Sequence, residues 1–121
     1  MAIVSIGQWA RKANLSLDEA ARGITIKLFS SVIMDTRVDT GRMRGNWQTS
    51  VSSPIVQETN RKDKGGSIAE SEVTRNVRSG KVNYLTNNVP YVEYWEQQDG
   101  MVAKNMARIQ RIVKEEVRKA R

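Results

Sequence analysis

The sequence predicts an α+β domain, with a long N-terminal helix and a C-terminal helix packed on a small, mostly antiparallel sheet. Three patterns predict it. Apolar residues recur at helical spacing after Ser16, and they do so again after Gly100. Between these stretches, Met43, Gly45, Trp47, Thr49 and Val51 alternate with Arg44, Asn46, Gln48 and Ser50, the period of two of a half-buried strand.

Ser5-Ile6-Gly7-Gln8 is a capping box that could open a short helix carrying Trp9, although Gly7 works against it. Ser16-Leu17-Asp18-Glu19 is the stronger start. The Ser16 hydroxyl can accept the free N–H three residues on, and Glu19 can reach back. Leu17, Ala20, Ala21, Ile24, Leu28 and Val32 then share one face of a helix expected to reach Val38, roughly 33 Å long at about 1.5 Å per residue. Ile26, Phe29 and Ile33 form a second apolar stripe away from the first. A helix apolar on two sides needs two partners. The second is either the N-terminal segment with Ile3, Ile6 and Trp9, or another subunit.

Val38-Asp39-Thr40-Gly41 ends the helix, with Gly41 free to take positive φ and Asp39 able to bond within its own turn. The strand that follows should stop before Pro54, and Trp47 should point into the core. Residues 57–66, QETNRKDKGG, read as a flexible polar loop or a mobile hairpin tip. Ser67-Ile68-Ala69-Glu70 offers another capping box, opening a short helix lined by Ile68, Val73 and Val77 and stopped by Ser79-Gly80. Lys81–Thr86 reads as a second strand, with Val82 and Tyr84 on one side and Leu85 on the other. Asn87-Asn88 then turns the chain and Pro90 bars a central strand. Tyr91, Tyr94 and Trp95 cluster as one helical turn or an aromatic edge.

Asp99 is placed to cap the last helix, 101–121. Val102, Met106, Ile109, Val113, Val117 and Ala120 fall within an arc of about 80°, and Lys104, Arg108, Arg111 and Arg118 lie opposite. That basic face is a solvated surface, a docking face for an acidic neighbour or a nonspecific phosphate contact.

Composition bounds the chemistry. With 121 residues the chain suits one domain, 1–121, with an aliphatic core. It carries no Cys and no His, which removes disulfides, thiolate metal sites and the commonest general base together. An enzyme is therefore not expected, nor a cofactor or a bound metal. A net charge of +7 suits nucleic acid or an acidic protein surface. No apolar run is long enough to span a membrane, and the start, MAIVSIGQWARK, lacks the charge order of a signal peptide, so cytosolic synthesis is expected.

Two segments go further. VDTGRMRGNW at 38–47 and VNYLTNNVPY at 82–91, with Gly100-Met101-Val102 heading the last helix, resemble the tail-completion or head–tail joining proteins of the tailed-bacteriophage neck, a family that includes the lambda-like minor tail protein Z. Asp39, Thr40, Gly41, Arg42, Arg44, Gly45 and Trp47 match its D-T-G-R-x-R-G-x-W element. Tyr84, Leu85, Thr86, Asn87, Asn88, Pro90 and Tyr91 match its Y-L-T-N-N-x-P-Y element. The chain departs from many members at Glu93-Tyr94-Trp95-Glu96-Gln97-Gln98, where they carry a Leu-Glu-Tyr-Gly step and a longer loop.

The resemblance implies a structural virion protein, made in the host cytoplasm, that forms a homo-oligomeric ring of six copies. It would meet the tail terminator or tail tube on one side and head-completion or connector proteins on the other, with DNA passing through the lumen. Ile26, Phe29, Ile33, Arg42, Arg44, Tyr91, Tyr94 and Trp95 are the candidate interface. The alternative is a small basic nucleic-acid-binding protein that uses the last helix.

Overall fold

A computed structural model describes residues 2–5 and 18–119, with side chains described over 21–114. The capping boxes at 5–8 and 16–19, with Ile6, Trp9 and Leu17, lie outside the described residues, as do Ala120 and the side chains of Ile3, Ala20, Val117 and Arg118. The fold is α+β. Strand β1 (Ala2–Ser5) precedes helix α1 (Asp18–Asp35), a single helical turn α2 (Arg42–Gly45) and strand β2 (Gln48–Val51). Helix α3 (Ser67–Asn76), strand β3 (Asn83–Asn87) and helices α4 (Val92–Asp99) and α5 (Met101–Lys119) complete the chain.

The sheet has the order β1-β3-β2 and is antiparallel throughout. β3 is central, pairing Ala2 with Asn87 through Ser5 with Tyr84 on one side, and Gln48 with Thr86 through Val51 with Asn83 on the other. α1 packs against both α5 and α3, and α3 packs on β2. Leu28, Phe29, Val32, Ile33, Trp47, Val73, Leu85, Val92 and Ile109 meet in one core.

Among the described residues, both stripes of α1 are satisfied inside the chain. Phe29 and Ile33 have no exposed surface and Ile26 is half-buried against the core, so Phe29 and Ile33 are core residues and not the interface expected of them. The cover comes from α3, a helix that looks weak in isolation. Its head abuts α1 so closely that a Cβ on Gly66 would stand 3.3 Å from Ile33 Cγ2. α1 also stops at Asp35, three residues short of Val38. Arg44 reaches back and donates to the carbonyls of Met34 and Thr36, both at 2.9 Å, holding groups at the helix end that have no intrahelical partner.

The segment after Gly41 also differs from the expected strand. Residues 42–45 close a helical turn, Gly45 N–H donating to the Gly41 carbonyl at 2.8 Å, and the strand occupies only 48–51. Side chains outbid the local alternation. Asn46, fully buried, donates to the Arg42 and Thr59 carbonyls and accepts from Thr59 N–H, while Asn87 donates to the Met43 carbonyl at 2.7 Å.

Those bonds also correct the expectation of a flexible loop at 57–66. Arg61 donates to the carbonyls of Gly45 and Trp47 and to Glu72 Oε2 at 2.7 Å. Asp63, itself buried, gives its N–H to Gly41 and accepts Ala69 N–H at the start of α3. That carboxylate, and not Ser67, caps α3. The loop is a strap drawn down over α2. Arg61→Ala takes the cation from Glu72 and the donor from two carbonyls, and should lower the urea midpoint by the equivalent of about 2 kcal/mol with an unchanged slope.

The outer backbone of β2 is covered as well. Thr49 N–H donates to Glu72 Oε1 at 3.1 Å and its carbonyl accepts from Asn76 Nδ2 at 3.1 Å. On the far side of the core, α5 buries Met101, Asn105, Ile109 and Val113, while Val102 and Met106 are only half-buried. Asn105 fits this rib because it donates to Asp35 Oδ2 and to the Met101 carbonyl. Asp99 does not cap α5. Glu96 does, accepting the N–H groups of Val102 and Ala103 at 2.8 and 3.0 Å.

Candidate interaction surface

Where α2, the end of α1 and the head of α4 meet, the surface opens into a cleft of about 560 Å³. Arg37, Asp39, Thr40, Arg42 and Lys62 form its polar rim, with Met43, Tyr91 and Trp95 as the apolar part of its wall. The two sequence elements that carry the family resemblance converge here. Asp39, Thr40 and Arg42 come from the first, and Tyr91 closes the second. Asn87 ties them together through the Met43 carbonyl, and Asn88 anchors the segment that leads into the strap by donating to the Ile55 carbonyl at 2.9 Å.

Gly41 sets the geometry. Its φ of 88° is the left-handed region, which turns the chain from α1 into α2. It also lies so close to the strap that a Cβ would stand 2.7 Å from Lys64 N and 2.9 Å from Asp63 N. Gly45 is equally confined, a Cβ there falling 2.8 Å from the Arg61 carbonyl oxygen. The motif glycines are therefore explained by backbone packing. Trp47, also from the motif, is fully buried and donates from Nε1 to Thr36 Oγ1 at 2.8 Å, as its assignment to the core anticipated.

The aromatic side chains stand on α4 and, for Tyr91, at its N-cap. Tyr91 and Tyr94 are 37% and 56% exposed, and Trp95 is half-buried with Tyr94 edge-on to it at 4.9 Å. Arg37 sits over the Trp95 ring, its Cζ 3.9 Å from the centroid, and grips Asp99 through two bonds of 2.9 Å. Arg42 sits 5.8 Å from the Tyr91 centroid and bonds Glu58 Oε2 at 2.8 Å. Of the residues proposed from sequence as interface, Arg42, Tyr91, Tyr94 and Trp95 gather at or beside this cleft. Arg44 does not join them, because its guanidinium is spent on the carbonyls of Met34, Thr36 and Lys64. Sequence reading missed Arg37 and Lys62, and gave Asp99 a capping role in place of its pairing with Arg37. Arg37 lies next to the motif, but nothing local signals its pairing with a residue 62 positions away.

The hydrogen bonds from Arg37 hold the Asp99 carboxyl below its ordinary 3.8, with a smaller pull from Lys104, and Asp99 in turn raises Arg37. A carboxyl shifted down supports the fold fully above its unfolded value and loses that support as pH falls through the lowered one. Carboxyl NMR should therefore give Asp99 a midpoint under 3.8, and Arg37→Gln should move it back up towards that value.

The other charged surface is α5, where Lys104, Arg108, Arg111 and Lys114 are exposed and no acidic residue occurs from 100 to 114. No helix among the described residues is long and apolar enough to cross a membrane. Comparison with known proteins returns no match for the chain, whether among family models, curated proteins or solved structures.

Proposed function

We propose that the protein is a structural component of the phage neck, completing the tail and joining it to the head as a homo-oligomeric ring, and that it carries no catalysis. The observation behind this is the convergence of the two family-like elements on one exposed face, where Tyr91 stands beside Arg42 and Asn87 bonds the Met43 carbonyl. Aromatic and arginine side chains over an apolar floor suit a protein contact. With Phe29 and Ile33 consumed by the core, contact with neighbours moves from α1 to the cleft and α4. Tail terminator or tube on one side and connector on the other are the partners this reading names, with DNA passing through the ring.

Electron microscopy of particles made without the protein should show heads and tails that fail to join. Fully joined, infectious particles would overturn the role. A second reading, nonspecific binding of nucleic acid, is favoured by the basic face of α5 up to Lys114, which Glu115 and Glu116 then interrupt. It predicts tight duplex binding that falls steeply between two salt concentrations, whereas the assembly role predicts little binding at either.

A further inference from the structure

We infer that the cleft bounded by Arg42, Lys62 and Tyr91 receives a short acidic peptide segment of a neighbouring protein, apolar or aromatic at its centre. The inference rests on the assembly reading and names the chemistry of the contact it requires. Three features carry it. The cleft joins an apolar wall of Met43, Tyr91 and Trp95 to a cationic rim, the pattern of a site that takes an apolar side chain flanked by carboxylates. Two of its three cations are available. Among the described residues no carboxylate pairs with Lys62, and Arg42 commits one nitrogen to Glu58, leaving the rest of its donor fork free. Finally, stacking on Trp95 and the two bonds to Asp99 hold Arg37 in place, so the wall is formed before a ligand arrives.

The occupant is neither a second copy nor a duplex. Every copy carries +7, which opposes self-docking at a cationic cleft and favours an acidic partner. A duplex is a broad rod with a charge about every 1.7 Å, and entering this concave site it would meet Asp39 and, behind the rim arginines, Glu58 and Asp99. A flexible peptide can set its carboxylates between them.

Fluorescence anisotropy of the full chain with labelled Glu-Glu-Leu-Tyr-Glu-Glu, and with a counterpart carrying Gln for every Glu, tests the proposal. The acidic peptide should bind at least about ten-fold more tightly than the neutral one. Lys62→Glu should weaken it about ten-fold, and Asp39→Asn, which removes a repelling carboxylate from the rim, should tighten it about two-fold. Arg111→Glu with Lys114→Glu, both exposed and farther along α5, should leave it within about two-fold. Thermal melts should match wild type for Lys62→Glu, which breaks no internal bond. Equal binding of both peptides, indifference to Lys62→Glu, or an equal loss on reversing α5 would overturn the site, as would displacement of the peptide by duplex DNA. The two ideas also fail separately. If particles need the protein but Lys62→Glu restores them fully, the neck role stands and the cleft falls. If particles join without the protein while the peptide still selects the cleft, the site stands and the neck role falls.

Discussion

Trp47→Ala should cost about 4 kcal/mol and lower the melting temperature by about 15 °C. Trp47 is the largest fully buried side chain, packed where α1, α2 and β2 meet, so its removal leaves a large cavity that the neighbours can fill only in part. It also strips Thr36 Oγ1 of the indole N–H that meets it at 2.8 Å, although that hydroxyl keeps its own bond to the Val32 carbonyl. Trp47→Phe separates the two terms. It keeps most of the packing and loses the hydrogen bond, and should cost about 1–2 kcal/mol. Tyr91→Ala, on the exposed wall of the cleft, should change stability by less than about 1 kcal/mol, because little surface is buried there. Differential scanning calorimetry of the three variants checks the order. Equal melting temperatures for Trp47→Ala and Tyr91→Ala would place the core elsewhere.

Gly41→Ala should destabilise by about 3 kcal/mol, a large effect for one methyl group. Two costs add. The backbone at φ 88° carries about 1–2 kcal/mol of strain for any residue with a Cβ. The new carbon would also press on the backbone nitrogens of Lys64 and Asp63, which belong to a strap that cannot yield without breaking the Asp63 N–H to Gly41 bond. Trypsin should report the change locally, cutting after Arg61, Lys62 or Lys64 in the variant well before it cuts the wild type. Gly23 makes the control. It lies inside α1 with open space where a Cβ would go, so Gly23→Ala should raise stability by about 0.5–1 kcal/mol.

The broad architecture was legible in the sequence because it rests on periodicity. Leu28, Val32, Ile109 and Val113 repeat at helical spacing whatever surrounds them, and Gly41 marks a left-handed exit by its identity alone. The one-turn helix at 42–45 was not legible. Its alternation imitates a strand, and what decides the matter is Asn87 and Asn46 donating to carbonyls 44 and 4 residues away. The same limit hid the strap. QETNRKDKGG has the composition of a loose loop, yet Arg61 and Asp63 find backbone carbonyls, and Thr59 the Asn46 side chain, in another part of the chain.

Helix caps were misread for a related reason. Ser67 and Asp99 hold the favoured positions in sequence, but Asp63 and Glu96 reach the free N–H groups, and Asp99 is taken by Arg37. At the candidate site the aromatic half, Tyr91, Tyr94 and Trp95, could be named from residue type. The cationic half could be named only as far as Arg42, because Arg37 and Lys62 reach the cleft through tertiary packing. Arg44 is the instructive error. Its place two residues from Arg42 suggested a shared role, whereas residues two apart in a helical turn point about 200° apart, and Arg44 turns inward to the end of α1.

The side chains of Glu72 and Asn76 along β2 have a bearing on how copies can associate. With the Thr49 amide and carbonyl already engaged, a passing extended segment finds no template there, and growth by strand recruitment is blocked along that flank. Multimers built on this side must recognise one another through side-chain shape and charge, which can be reversed and regulated, and not through main-chain pairing, which would propagate without limit.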